Sequence, residues 1–402
     1  MSALIATRAP ARPRADRQAL PWSMIGATVS VLAAGFVLQL LLYGNGHTAV
    51  TDIPRVLMGR GIGPGHVPYL DRVLEYPVGA GLLLYVASLL APGPFGTFVI
   101  TALASAAVCV AITVVLERRF GARAWRWALG APLFLYAFQN WDVFAIAALL
   151  VAVFAFDAGR DRVAGAAVGV GAAVKLFPGM LLAPLVAVRL ARRDALGARR
   201  VAGWAVAAFV ALNLPFLLAN PSGWWWTYAF QGRRQATWGT IWFWLFRAVS
   251  VPVHGAAGTH VANMVSSALL VGGVAWITVR AARRGQGAAE IAAASVALAL
   301  LANKVYSPTY DLWLLPAFVL LPLSRRLWVA FCAVGLAVFV TVYGSFHRLV
   351  SAHDVSTVLP VLVAVRAVVL VTVLVRATHA RPAARPVPSS WSIHPQPGAM
   401  AA

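Results

Sequence analysis

EYPVGAGLLLYVASLLAPG, residues 75–93, is the stretch on which the topology of this chain turns. Its apolar core of about 14 residues is short for a hydrocarbon slab that asks for about 20 in helical form. Counted as a full crossing, it would carry ERRFGAR (117–123) and every later arginine cluster to the outer face. Read as a re-entrant or interfacial helix over 76–90, it leaves residues 45–96 as one large external loop. The basic clusters then face the cytoplasm, where positive charge is retained.

Outward from that stretch, apolar runs lie at 22–44, 97–116, 125–139, 142–156, 162–174, 176–190, 200–219, 262–280, 288–302, 311–323, 327–343 and 356–376. Between them sit Arg8, Arg12, Arg14 and Arg17, then ERRFGARAWR, GRDR, RLARRDALGARR, RAARRG, SRR and RATHARPAAR. With every cluster inside, the runs alternate without conflict and both termini are cytoplasmic. The expected fold class is an all-α polytopic membrane protein, a bundle of about 12 transmembrane helices with a large first external loop. Its expected organisation is a cytoplasmic basic tail at 1–21, a membrane domain at 22–376 and a disordered cytoplasmic tail at 377–402.

Composition agrees: 61% of residues are hydrophobic and 11% charged, which excludes a soluble enzyme with a tail. A net charge of +21 can signal nucleic acid. Here the arginines form short clusters between apolar runs, so membrane lipids, and no nucleic acid, are the expected partners. Cys109 and Cys332 lie in apolar runs far from any histidine, which leaves neither a disulfide framework nor a metal site. The run at 22–44 is too long for a signal-peptide core and is read as a retained span.

Chemistry-bearing residues gather on the external side. TDIPRVLMGRGIGPGHVPYLDRVLEYPVG (51–79) sets Asp52, Asp71 and Glu75 beside Arg55, Arg60 and Arg72. Asp52 has two readings: the cap of a short interfacial helix whose apolar side is Ile53, Val56 and Leu57, or an external general base. Asp71, Arg72 and Glu75 could equally form a local ion-pair set at helical spacing. Asp142 opens a span, where capping is again an alternative. The chain's two lysines, Lys175 and Lys304, both fall at external ends of spans. They either present a compact ammonium to a phosphate or snorkel at helix ends. Segment 220–261 holds six of the fifteen tryptophans. It reads as an aromatic belt, or as a platform for sugar rings or a lipid tail with Arg233 and Arg234 taking an anionic group.

The 51–79 stretch, NWDVFAIAALLVAVFAF (140–156), VKLFPGMLLAPLV (174–186) and NKVYSPTYDLWLLP (303–316) occur in the order seen in glycosyltransferase family 87. The resemblance spans most of residues 22–345. It implies a GT-C-like enzyme that takes a sugar from a polyprenyl-phosphate carrier, similar to the actinobacterial mannosyltransferases of phosphatidylinositol mannoside synthesis. It also implies a catalytic aspartate in the first external loop, where Asp52 matches. The segment PYLDRVLEYP (68–77), with Tyr69, Asp71, Arg72, Glu75 and Tyr76, resembles the family's PY-x-D…EYPP stretch, with Val78 replacing the second proline. Lys175 and Lys304 match positions near the carrier phosphate, and Asn140, Asp142, Ser307, Tyr310 and Asp311 join the expected substrate-binding set. The mannosyltransferase branch carries histidines after its S-P pair, whereas this chain reads Ser307-Pro308-Thr309-Tyr310-Asp311.

The chemistry points the same way. An acceptor hydroxyl needs a base as it attacks an anomeric carbon, and a departing phosphate needs cations. A hydrolase would want a second, protonated carboxyl. A nucleotide-sugar enzyme would want an acidic metal motif on the cytoplasmic side, where Asp157 and Asp161 are instead interleaved with arginine. The expected function is therefore an inverting cell-membrane glycosyltransferase, with mannose the hexose implied, acting on the extracytoplasmic face. Asp52 is its base, and Lys175, Lys304 and Arg72 hold the phosphate. Its partners are a lipid-linked sugar donor, a glycolipid or glycan acceptor and membrane lipids; no cofactor is expected, and a metal need stays open. The alternative is a transporter or flippase of a polyprenyl-linked or anionic solute. That reading asks for acids along a path within the spans, which offer Glu290 near a cytoplasmic end, and Asp142 and Asp311 at external ends.

Overall fold

The computed structural model describes residues 21–44, 51–346 and 348–380. Residues 1–20 of the expected basic tail, 45–50 of the first external loop and 381–402 of the expected C-terminal tail lie outside them. Among the described residues the regular structure is helical, with isolated bridges at Gly63–His66 and Pro68–Arg72.

In chain order, α1 (Trp22–Gly44) is a long apolar helix, and α2 (Asp52–Arg60) a short one closed by Gly61 in the left-handed region at φ 62°. A turn-rich loop leads to α3 (Val78–Leu90) and α4 (Pro94–Phe120), the latter started by proline and continued through a 3-10 turn into α5 (Trp125–Ala128). Next come α6 (Ala131–Tyr136), α7 (Asp142–Asp157), α8 (Asp161–Val174), α9 (Leu182–Ala191) and α10 (Ala195–Ala219). The Trp-rich segment forms α11 (Pro221–Arg233) and α12 (Ile241–Ala248). The chain finishes with α13 (Gly255–Arg284), α14 (Ala288–Ala302), α15 (Asp311–Leu314), α16 (Ala317–Leu320), α17 (Arg325–Phe346) and α18 (Ala352–His379).

Among the described residues six helical stretches are long and apolar enough to cross a membrane: Trp22–Tyr43, Pro94–Ala128, Ala195–Ala219, Gly255–Arg284, Arg325–Phe346 and Ala352–His379. The chain is thus a polytopic all-α membrane protein. The other runs that the sequence presented as spans are shorter or broken. Residues 125–139 fold as α5 and α6, 311–323 as α15 and α16, and 176–190 begin with a 3-10 turn. A 15-residue helix such as α14 rises only about 22 Å, short of a hydrocarbon core of about 30 Å. The 13 residues of α3 are shorter still, a rise of about 20 Å.

Length sorts the helices by solvent. α7 and α14 are buried nearly all round, as helices apolar on every face should be. The long α10, α13 and α18 leave Val206, Leu218, Val271, Val361 and Val368 exposed, the expected surface toward lipid. α8 and α10 pack closest. Built-on Cβ atoms at Gly165 and Gly169 would lie 2.3 and 2.2 Å from the Val201 and Ala205 carbonyl oxygens, so glycine alone permits this crossing.

Broken helices leave backbone groups that lipid cannot satisfy, so such breaks belong inside protein or against a watery cavity. The break at residues 137–141 meets the start of α2, where the Gln139 carbonyl accepts from the Thr51 hydroxyl and the Asp52 N–H.

Candidate active site

The site is built on the start of α2. Thr51, in extended backbone, caps the helix through its side-chain oxygen, which accepts the Ile53 N–H at 3.4 Å. Its hydroxyl also donates to the Gln139 carbonyl at 3.2 Å, and the Asp52 N–H donates to the same oxygen at 2.9 Å. The start of α2 is thereby fastened to the FQNWD turn. Capping falls to Thr51, and the Asp52 carboxylate, one position into the helix, is left for other partners. It accepts hydrogen bonds from the Tyr76 hydroxyl and from Arg55. The carboxylate side chain is 24% exposed and that of Arg55 50%, so both reach solvent.

Tyr76 links two charges. Burial, then the negative charge of Asp52 and the hydrogen bond to it, push its hydroxyl well above the usual tyrosine range and keep it a donor. Its ring packs edge-on against Trp141, centroids 4.9 Å apart, and lies 4.9 Å from the Lys175 ammonium. Lys175 closes α8, and its Nζ is 2.9 Å from the Asp142 carboxylate. Tyr310 and Trp313 add ring faces at 5.5 and 5.8 Å from that ammonium. Trp313 is in turn stacked between Tyr310 and Phe177, at centroid distances of 4.0 and 4.2 Å. The result is a cation held by one carboxylate and three aromatic rings.

Asp142 is 1% exposed. It opens α7, where the helix dipole favours a negative charge, but it caps nothing. Its own N–H is taken by the Asn140 side-chain oxygen at 2.9 Å, and the Asn140 amide donates to Thr309 at 3.3 Å. Thr309 continues to the Ser307 hydroxyl at 3.2 Å. Asp52, Tyr76, Lys175, Asp142, Asn140, Ser307 and Tyr310 are therefore joined by an unbroken run of contacts.

Other expected residues stand elsewhere. Asp71 and Arg72 are exposed on the turn-rich loop, where the Asp71 carboxylate accepts the Val67 N–H at 2.7 Å. Glu75 pairs with Arg60 at 2.8 Å, and Arg60 stacks on Trp226 at 4.8 Å. The ion-pair set imagined at helical spacing does not form, because residues 61–77 are not helical. Tyr69 is fully buried at φ 69° and donates to the Tyr76 and Pro77 carbonyls, both at 2.8 Å, so it shapes the loop without facing Asp52. Lys304 donates to the Gly232 and Arg234 carbonyls and to the Asn263 side chain, which commits its ammonium to the end of α11. Burial and the neighbouring Arg234 guanidinium nevertheless push that ammonium down to about 8.

Asp311 faces another way. It accepts from the Tyr306 hydroxyl at 2.6 Å and lies 3.7 Å from Arg366, which also stacks on Tyr306 at 3.8 Å and donates to the Gly239 carbonyl. This pairing was missed in the sequence, although a lone arginine in the apolar run at 356–376 has to find a partner inside the bundle. Also unforeseen was the clasp of α11 on the loop. Asn220, Thr227 and Gln231 donate to the Leu70, Leu74 and Glu75 carbonyls at 2.9, 2.8 and 2.9 Å. No periodicity or motif marks such side-chain-to-backbone contacts across roughly 150 residues of chain.

Among the described residues no three His, Cys, Asp or Glu side chains gather as a metal site would need. In comparison with known proteins, the sequence model of glycosyltransferase family 87 matches residues 74–308, more than half of the chain. Tyr76, Asn140, Asp142 and Lys175 fall within that range, while Asp52 precedes it and Tyr310 follows it. No curated protein and no solved structure matches the chain.

Proposed function

This chain belongs to glycosyltransferase family 87 and is a membrane glycosyltransferase, and on that premise we propose that it takes its hexose from a polyprenyl-phosphate carrier. The proposed sugar is mannose, the acceptor a glycolipid or glycan, and the working face extracytoplasmic. One observation carries the reading: the Tyr76 hydroxyl holds Asp52 while the Tyr76 ring covers Lys175. A carboxylate base and a fixed positive charge thus flank a single aromatic ring.

In the proposed reaction the acceptor hydroxyl gives its proton to Asp52 as its oxygen attacks the anomeric carbon. The bond from that carbon to the phosphate oxygen breaks, the carrier departs as a phosphate monoester anion, and the anomeric configuration inverts. Arg55, half exposed, turns from Asp52 to the carrier phosphate when donor enters, which frees the carboxylate to take the proton. Lys175 is too enclosed to leave Asp142 and supplies a standing positive potential at the departing anion. Lys304 and Arg72, expected at the phosphate, have a fastening role and an exposed loop position here, and the proposal gives them no direct contact with it.

Membranes carrying the protein should transfer label from radiolabelled polyprenyl-phosphate mannose. Asp52→Asn should lower that rate about 10²- to 10⁴-fold at equal amounts of folded protein. Transfer from a nucleotide sugar and none from the lipid carrier would overturn the donor assignment. An Asn variant within about threefold of wild type, far inside the general-base range, would remove Asp52 from the role of base.

A further inference from the structure

The arginine-rich RLARRDALGARR stretch (189–200) plays no part in the site described above, yet it borders a cavity of about 380 Å³. Leu196, Arg199, Arg200, Gly203, Trp204 and Ala207 line it from α10, and Arg162 faces them from α8. Their spacing along α10 is that of a single helical stripe. The opposite side of the same helix, through Val201 and Ala205, is the one pressed on Gly165 and Gly169.

The local acids are already committed. Asp161 is bound by Arg189 at 2.6 Å, and Asp194 accepts the Gly197 N–H at 2.8 Å as the cap of α10. Among the described residues nothing accepts a hydrogen bond from or pairs with Arg162, Arg199 or Arg200. Three positive charges therefore converge on one concavity without a counter-ion, an arrangement that an anion relieves. Two of them stand within the first two turns of a membrane-crossing helix. From Arg200 to Ala207 the stripe descends about 10 Å along the axis toward the apolar interior. Below Leu196 and the two arginines come Gly203, which leaves room for a chain, Trp204, 47% exposed and of the type that sits at headgroup level, and then the small Ala207.

We propose that this groove binds an anionic glycerophospholipid, its phosphate held by Arg162, Arg199 and Arg200 and the start of an acyl chain lying over Gly203 and Ala207 against Trp204. Guanidinium forks suit phosphate oxygens, and the order of residues matches the order of groups in such a lipid. The site is distinct from the catalytic one. α10 is about 37 Å long, and its far end at Asn220 joins α11, which clasps the loop carrying Tyr76. The two sites thus lie at opposite membrane surfaces, with the arginine end assigned to the cytoplasmic leaflet by its charge.

The test uses the full-length protein in phosphatidylcholine nanodiscs, titrated with fluorescent phosphatidylglycerol and, separately, with glycerol 3-phosphate. Wild type should bind the lipid, and the triple variant Arg162→Gln, Arg199→Gln, Arg200→Gln should lose roughly 100-fold in affinity, at about fivefold per arginine. The control Arg283→Gln, Arg284→Gln, the same kind of change at another basic helix end, should bind like wild type. The double variant Arg199→Gln, Arg200→Gln gives a smaller perturbation and should lose roughly 25-fold. Equal losses in pocket and control variants would reduce the effect to general surface charge and overturn the site. Glycerol 3-phosphate binding as tightly as the lipid, or equal retention of phosphatidylcholine, would overturn the lipid assignment.

Discussion

Thr51 caps α2, and the carboxylate of its neighbour Asp52 is turned away from the helix end to Tyr76 and Arg55. The two adjacent side chains therefore divide two tasks, and substitutions should separate them. Thr51→Ala should cost about 1 kcal/mol of stability and leave transfer per folded molecule near that of wild type. Asp52→Asn should do the opposite, keeping the thermal midpoint and losing the reaction. Paired measurements of midpoint and single-turnover rate decide the matter; a shared loss of stability would mean that both residues serve the helix.

Tyr76 carries a hydrogen bond and a ring, and Tyr76→Phe removes only the first. A hydrogen bond to a charged group contributes about 1.5–3 kcal/mol, so transfer should fall roughly 10- to 100-fold while the ring still covers Lys175. Tyr76→Ala should fall further, since the cation loses one of its three rings. If Phe and wild type are equally fast, the hydroxyl has no bearing on Asp52.

Lys175 and Asp142 are a buried pair, so removing one partner strands the other. Lys175→Met alone should destabilise by about 3–5 kcal/mol, and Asp142→Leu alone by a similar amount. The double variant should regain most of that stability, because two apolar groups can fill the space of two charges. Activity should stay low in the double variant if the cation serves the departing phosphate. Recovery of both stability and activity would make the pair purely structural.

Lys304 should impose a pH dependence. Its folded-state value of about 8 lies below the ordinary lysine range, so between the two the unfolded chain binds more protons than the folded one. Stability should therefore rise, through this residue, as pH climbs from about 8 toward about 10.4, the penalty for the buried charge being fully present below 8. The thermal midpoint of wild type minus that of Lys304→Gln, followed from pH 7 to 10, should increase across that window. A flat difference would mean that the ammonium keeps its proton on the three oxygens around it.

Membrane character was readable from the chain alone, because burial in lipid is a property of composition summed over many residues. The long runs at 22–44, 200–219, 262–280, 327–343 and 356–376 became the long helices, since about 20 apolar residues suffice to define such an element wherever it packs. The run at 76–90 was readable as a short apolar helix, and the helix there has 13 residues. The family resemblance named Asp52, Tyr76, Asp142, Lys175 and Tyr310 among a longer set of expected site residues, and in the structure these five lie along one run of contacts.

Tertiary structure decided what local pattern could not. Short apolar runs such as 125–139 and 311–323 look alike in sequence whether they cross a bilayer alone or lie broken inside a bundle, and only neighbouring helices that satisfy their free backbone groups allow the second outcome. The partners of Lys304, Asp311 and Arg366 were likewise hidden. Gly232 meets Lys304, Arg366 meets Asp311 and Gly239 meets Arg366 through packing of distant segments, and the two glycine carbonyls carry no mark in sequence. Composition states that a buried charge must be met, whereas the three-dimensional path of the chain determines what meets it.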